Sequence, residues 1–395
     1  MNLLRNVYDM LYHQFAIVKI KTKKDFMNMV RSLNFYIILG IILILCSCNA
    51  DKQETSQIVN KINLSNITEK EVSIADVAEV MDIINLEMSD ESLIYEIDKI
   101  EQHKDLFYIL DKHQKKIFVF DKGGVFLRQI GELGSAPDEF QYISDFTIDK
   151  ENDKIMILST INSTYIFEYD LNGNFLSKKE ISKSLLWSIT NQDKCYICSS
   201  NNLTYTEGSD AFLLYKFDKN SQLLDKEISV SSKQIYSPMT ISTPFHTANG
   251  VCHYVDCFNN RVYYISNDSS VWKEMLLNFS NPMPIDLYAD VNLFMNNMHK
   301  YNILMEAYIN NHCMLFTYIH EKKYYIKILS HKQEELLAGE FIGAFPRLFN
   351  GDDNVILSPI NILEYESDWK QLFPSIEEPI AEDCNMMIVK WKIKC

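Results

Sequence analysis

One turn chemistry recurs along this chain at an almost constant interval. Asp121, Asp170 and Asp218 each close an apolar run, stand 49 and 48 residues apart, and lead into turns built from Gly, Asn or Ser. Short strands that end in such a turn and resume behind it are hairpins. The three copies read KIFVFDKGGVFLRQI (116–130), YIFEYDLNGNFLSKKEI (165–181) and FLLYKFDKNSQLLDKEI (212–228). Looser copies follow in RVYYISNDSSVWKEMLL (261–277) and YYIKILSHKQEELLAG (324–339), and MMIVKWKIK (386–394) runs into the C-terminus. Each is preceded by another short apolar run, at 104–111, 152–159, 192–199, 249–256, 311–318 and 352–359, and each of those by a further candidate strand, at 93–100, 144–150, 186–190, 238–243, 303–309 and 345–350.

Four antiparallel strands per unit, repeated six times at a period of about 40–60 residues, predict an all-β chain folded as a six-bladed β-propeller. A hydrophobic content of 47%, with 22 Tyr and 22 Phe, supplies the core and suits strands better than helices. The sixth unit lacks its own fourth strand, and the unassigned run VAEVMDIINLEM (77–88) precedes the first. This N-terminal strand is therefore expected to complete the last blade and close the ring, which removes two exposed edges. The fourth and fifth units are spaced widely, and the extra length around 281–302 has helical spacing, which suggests a short helix or a lid.

Residues 35–47, FYIILGIILILCS, have the length of a signal-peptide core rather than of a membrane span. Leu45-Cys46-Ser47-Cys48 resembles the bacterial lipobox, and the resemblance implies lipid attachment at Cys48 after cleavage before it. Residues 1–47 then form the signal peptide, and a start at Met27 or Met29 would leave a compact one with Arg31 as its positive charge. Residues 48–70, polar and free of aromatics, read as a lipidated flexible tether, and 71–395 as the propeller. Asp51 and Glu54 resemble acidic sorting signals for the outer surface.

Leu86–Ile94, the loop Gly131–Phe140 and the closing DCNMMIVKWKIK together resemble the six-bladed β-propeller lipoproteins of Bacteroides and its relatives, with a more distant likeness to NHL-repeat propellers. That resemblance implies the fold and a place in the cell envelope: lipid-anchored to the outer membrane, periplasmic or surface-exposed. It also points to the loop as a binding element. Gly134, Pro137 and Glu139 match the family pattern there, while Asp138 and Phe140 stand where Gly and Tyr are usual. These five residues are the binding candidates.

A formal charge of −15, from 38 basic and 53 acidic residues, disfavours nucleic acid as a partner. No phosphate loop, GxSxG elbow or HExxH occurs. Cys195 and Cys198 form a CxxC, but on a strand they point to opposite faces, so they read as core residues; Cys252 and Cys257 read the same way. His246 and His253 have a spacing that suits a metal pair, with no third ligand in view. Asp145 and Asp149 share a strand face about 13 Å apart, at about 3.3 Å per residue, too far to hold one ion, and read as turn and edge residues. The expected function is a non-catalytic recognition module for glycans or envelope proteins, attached to the membrane through its lipid and needing no cofactor. The competing class is a propeller hydrolase or lyase with a divalent metal such as calcium in the central channel.

Overall fold

A computed structural model of the chain describes residues 57–66, 68–201, 212–229, 243–265, 273–343, 346–351, 355–361 and 384–394. They belong to one compact unit, Ser56–Cys395. The expected signal peptide and Cys48 lie outside the described residues.

The N-terminal part supplies β1 (Gln57–Asn63), β2 (Glu71–Val72), the single-turn helix α1 (Ile74–Val77) and β3 (Ala78–Glu87). Blade one follows as β4 (Lys99–His103), β5 (Leu106–Asp111), β6 (Lys116–Asp121) and β7 (Phe126–Ile130). Blade two is β8 (Asp145–Asp149), β9 (Lys154–Thr160), β10 (Thr164–Asp170) and β11 (Phe175–Ser182). Blade three is β12 (Ser188–Asn191), β13 (Cys195–Ser199), β14 (Phe212–Asp218) and β15 (Leu223–Ser229). Blade four is β16 (Phe245–Ala248), β17 (Val251–Asp256), β18 (Arg261–Ile265) and β19 (Lys273–Asn278). Blade five is β20 (Ile303–Ile309), β21 (Cys313–His320), β22 (Lys323–Ser330) and β23 (Glu335–Phe341). Blade six has β24 (Phe349–Asn350), β25 (Ile356–Ile360) and β26 (Cys384–Ile393), with β3 as its outer strand, antiparallel to β26 from Ala78 opposite Ile393 to Glu87 opposite Cys384.

The middle strands read as unbroken apolar runs because both of their faces are buried. Phe107, Ile109, Phe118 and Phe120 point to the interface between blades six and one; Tyr108, Leu110, Ile117 and Val119 point to that between one and two. The pattern repeats around the ring, and the apolar clusters of the described residues lie one between each pair of successive blades. Cys195 and Cys198 obey it, falling in the clusters on either side of blade three as buried free thiols. Outer strands alternate instead, as in β11, whose half-buried Phe175 is followed by exposed Leu176.

The periodic aspartates have a local explanation. Each turns its Oδ1 onto two backbone N–H groups of its own turn: Asp121 onto Gly123 and Val125 (2.8 and 2.9 Å), Asp170 onto Asn172 and Asn174 (2.8 and 2.9 Å), Asp218 onto Asn220 and Gln222 (2.9 and 2.8 Å). In blade five Ser330 replaces it and accepts from Glu334 N–H at 3.1 Å. These turns also dock on the preceding blade. Gly124 abuts the Asn85 carbonyl on β3, and the Arg128 guanidinium on β7 donates to Leu171 O in the turn of blade two.

Two expectations need correction. The flexible tether does not extend to residue 70, because β1 pairs in parallel with β19, β2 pairs in parallel with β23, and Ile62, Leu64 and Val72 are fully buried. The inner strand of blade four is Phe245–Ala248 rather than 238–243, of which only Thr243 is described. Pro244 has no N–H to give a ladder, and Asn249-Gly250, both at positive φ (52° and 73°), turns β16 directly into β17. The insertion at 281–302 does carry a helix, α2 (Val291–Asn297), whose Asp290 cap accepts from Asn292 and Leu293 N–H (2.8 and 3.0 Å). Its Phe294 is fully buried beside Tyr288, which packs on Phe258, so the insertion thickens the cluster between blades four and five.

His246 and His253 face one another across β16 and β17, 1% and 4% exposed. Neither ring nitrogen of His246 forms a well-shaped hydrogen bond, although the backbones of Thr243 and Ala307 lie beside the ring. Burial, with the opposing His253, holds the His246 pKa down to about 3; burial, with His331, holds that of His253 down to about 4. The unfolded chain binds these protons near about pH 6.5, so the stability they contribute is complete above that value and lost as pH falls towards the folded-state values. Melting temperature should therefore drop between about pH 7 and pH 5, before most carboxylates titrate, and His246→Leu should flatten that slope. An unchanged slope would exclude the pair as its cause.

Gly124 and Gly250 make a paired test, both at positive φ (85° and 73°). Gly250 has open space around it, so Gly250→Ala should cost only the left-handed backbone penalty of about 1–2 kcal/mol in urea unfolding. A Cβ at Gly124 would overlap the Asn85 carbonyl, so Gly124→Ala should cost at least about twice as much.

Candidate functional site

The innermost strand of each blade pairs on one side only, so its other edge presents unpaired N–H and C=O groups to the ring's axis. Side chains from neighbouring blades meet those groups. Glu101 of β4 accepts from Ile148 N–H on β8 (2.9 Å), Asp145 of β8 accepts from Ile189 N–H on β12 (2.8 Å), and Thr147 Oγ1 accepts from Asn191 N–H (3.2 Å). Lys99 joins three blades at once: its ammonium pairs with Asp145 (3.0 Å) and Glu101 (3.3 Å) and donates to the carbonyls of Phe146 (2.6 Å) and Ile189 (3.2 Å). Burial works against its charge, and the carboxylates of Asp145 and then Glu101 outweigh it, so its pKa lies above the ordinary lysine value. Lys99 is a permanent cation here and not an amine nucleophile.

What remains on the axis is a cavity of about 590 Å³, within the range of small-molecule sites. All six inner strands or their turns contribute to it. One end is lined by residues at the starts of the inner strands, with Lys99 and Asp145 in place and Thr243 Oγ1 donating across to Leu348 O at 3.1 Å. The other end, formed by the turns that follow the inner strands, is ringed by Asn191, Gln192, Asp193, Asn310, Asn311 and Asn350. These turns are tied to one another. Asn311 Oδ1 accepts from Asn249 N–H (2.6 Å), and Lys219 donates to Asp149 (3.0 Å) and Asn191 Oδ1 (2.6 Å). Burial would raise the Asp149 pKa, but the bonds from Asn152 and Lys219 prevail and hold it below the usual carboxylate range. The walls add the hydroxyls of Thr190 and Thr247, so amides and hydroxyls make up most of the polar lining, with the one Lys99 ammonium shared between two carboxylates at one end.

The loop candidates lie elsewhere. Gly134, Pro137, Asp138, Glu139 and Phe140 belong to the crossing from blade one to blade two, and none lines the cavity. Glu139 accepts from Ala136 N–H at 2.8 Å, the carboxylate occupying the space a Cβ at Gly134 would need. Tyr169 donates to Asp138 O at 2.7 Å, and Phe140 is buried edge-on against Phe167. Pro137 and Asp138 are exposed. Asp145 and Asp149 take the edge and turn roles read from their spacing. Lys99, Glu101 and the amide ring escaped the sequence reading; the available signal was a lysine and a glutamate interrupting what had to be an innermost strand. Among the described residues no group of three or more His, Cys, Asp or Glu is arranged to hold a metal ion.

Two solved structures share the architecture. A Bacteroides fragilis protein named a putative exported protein, 16% identical, superposes with a TM-score of 0.68 over 85% of this chain and 100% of its own. A member of the DUF4221 family from Bacteroides vulgatus, 10% identical, gives 0.55 over 81% of this chain and 99% of its own. At such identities the likeness is one of fold. No functionally curated protein matches the sequence. The match that covers most of the propeller, residues 59–389, is to the family described as a domain of unknown function, DUF4934, and the chain belongs to that family.

Proposed function

We propose that this protein is a lipid-anchored recognition module of the cell envelope that binds glycans in the axial cavity of its propeller. The observation that carries the reading is the cavity's lining: amide and hydroxyl groups from six separate strands or their turns converge on one space of about 590 Å³. Sugars offer the complementary array of hydroxyl donors and acceptors, and side chains mounted on rigid inner strands meet them without reorganisation. Export is supported by the signal-like run at 35–47 and by the likeness to a Bacteroides protein named a putative exported protein. Among the described residues no helix is long and apolar enough to cross a membrane. The proposed tether is a lipid at Cys48, on the lipobox-like Leu45-Cys46-Ser47-Cys48.

Titration of the purified protein against an array of neutral oligosaccharides should find binders, and the double variant Thr247→Val, Asn350→Ala should weaken them at least about tenfold. Both residues are exposed, so the melting temperature should stay unchanged. A parent protein that binds no oligosaccharide on the array would overturn the reading. For the anchor, cells fed an alkyne-tagged fatty acid should label the wild-type protein and not Cys48→Ser. Equal labelling of both would show that Cys48 is not the acylated residue.

A further inference from the structure

The inner end of the cavity has a polarity that a neutral sugar does not require. The Lys99 ammonium carries three N–H donors and faces four acceptors, Asp145 Oδ1, Glu101 Oε1, Phe146 O and Ile189 O, so it has none left for a ligand. The carboxylates are in the opposite condition. Asp145 Oδ1 takes Lys99 and the Phe146 N–H, but Asp145 Oδ2 takes only the Ile189 N–H. Glu101 Oε1 takes Lys99 alone and Oε2 takes only the Ile148 N–H. Each carboxylate oxygen can accept about two bonds, so both Glu101 oxygens and one Asp145 oxygen keep an open position. One cation stands against two anions, leaving an uncompensated negative charge. The other charged residues of the lining do not reverse it, since its second cation, Lys150, is outnumbered by Glu151 and Asp193.

Resting on the glycan reading above, we propose that the cavity selects sugars bearing a free, protonated amine, with the ammonium seated against Glu101. The Asp145 side chain is 10% exposed and fixed by three bonds, whereas the Glu101 side chain is 19% exposed and lines the cavity, held by Lys99 and by one edge N–H of the next blade. An incoming ammonium supplies both the missing positive charge and the donors that the open acceptor positions lack. In a recess shielded from bulk water such a contact is worth more than on an open surface. An N-acetyl group removes the charge, and a uronate or phosphate meets repulsion.

Calorimetric titration at about pH 6.5, below the range in which a free amine loses its proton, would use five probes: D-glucosamine, D-glucose, N-acetyl-D-glucosamine, D-glucuronate and ethanolamine. The wild-type protein should bind glucosamine at least about tenfold tighter than glucose or N-acetylglucosamine, and glucuronate least. Glu101→Gln keeps an oxygen for the Ile148 N–H and leaves Lys99 paired with Asp145, so it should fold normally, confirmed by an unchanged melting temperature, and lose the preference. A preference that survives in Glu101→Gln, or glucuronate binding as tightly as glucosamine, overturns the inference. Neutral oligosaccharides bound without regard to the amine also overturn it and leave the glycan reading standing. Ethanolamine bound as tightly as glucosamine supports the charge selection and overturns the glycan reading instead.

Discussion

A ring of sheets has an inner edge that nothing in the ring itself can pair. Every blade ends, towards the axis, in a strand whose outward ladder is satisfied and whose inward ladder is open. Around blades one to three the protein meets this with side chains that reach from one inner strand to the next, and Lys99 alone ties two carbonyls and two carboxylates from three blades. This is edge protection turned inward: the groups that keep the inner strands from offering a template for pairing also fix the walls of the cavity. The cavity is polar because the edge is polar.

The same logic explains what could be read in advance. The six units were legible because each middle strand is buried on both faces and each outer hairpin needs a specific turn. Both demands fall on neighbouring residues, and Asp121, Asp170 and Asp218 satisfy them by bonds spanning no more than four positions. CxxC was legible for the same reason, since strand geometry alone sends Cys195 and Cys198 to opposite interfaces. Local chemistry leaves local marks.

The cavity was not legible because it is made of long-range contacts. Glu101 meets Ile148, and Asp145 meets Ile189, more than forty positions away, and no spacing rule connects a lysine in one blade to a carbonyl in the third. The loop at 131–140 stood out through its family resemblance, and in the structure Gly134, Glu139 and Phe140 are engaged in holding the crossing between two blades. Strands β1 and β2 were missed because IVNKIN and EV carry little β signature of their own, and parallel pairing to β19 and β23 depends on edges that exist only once blades four and five have formed.

Those two added strands give the fold a mechanical property. The chain runs along the outside of blade four, then blade five, and then becomes the last strand of blade six. Tension arriving from the N-terminal side enters β1, which pairs in parallel with β19 from Gln57 opposite Lys273 to Asn63 opposite Asn278, with one register shift between Ile58 and Asn60. Pulling along the axis of a paired strand loads its cross-strand bonds in shear, so they share the force and must yield together instead of opening one at a time. A propeller held by its N-terminus is in this way held by a lap joint, and the closing strand of the ring sits two joints away from the load.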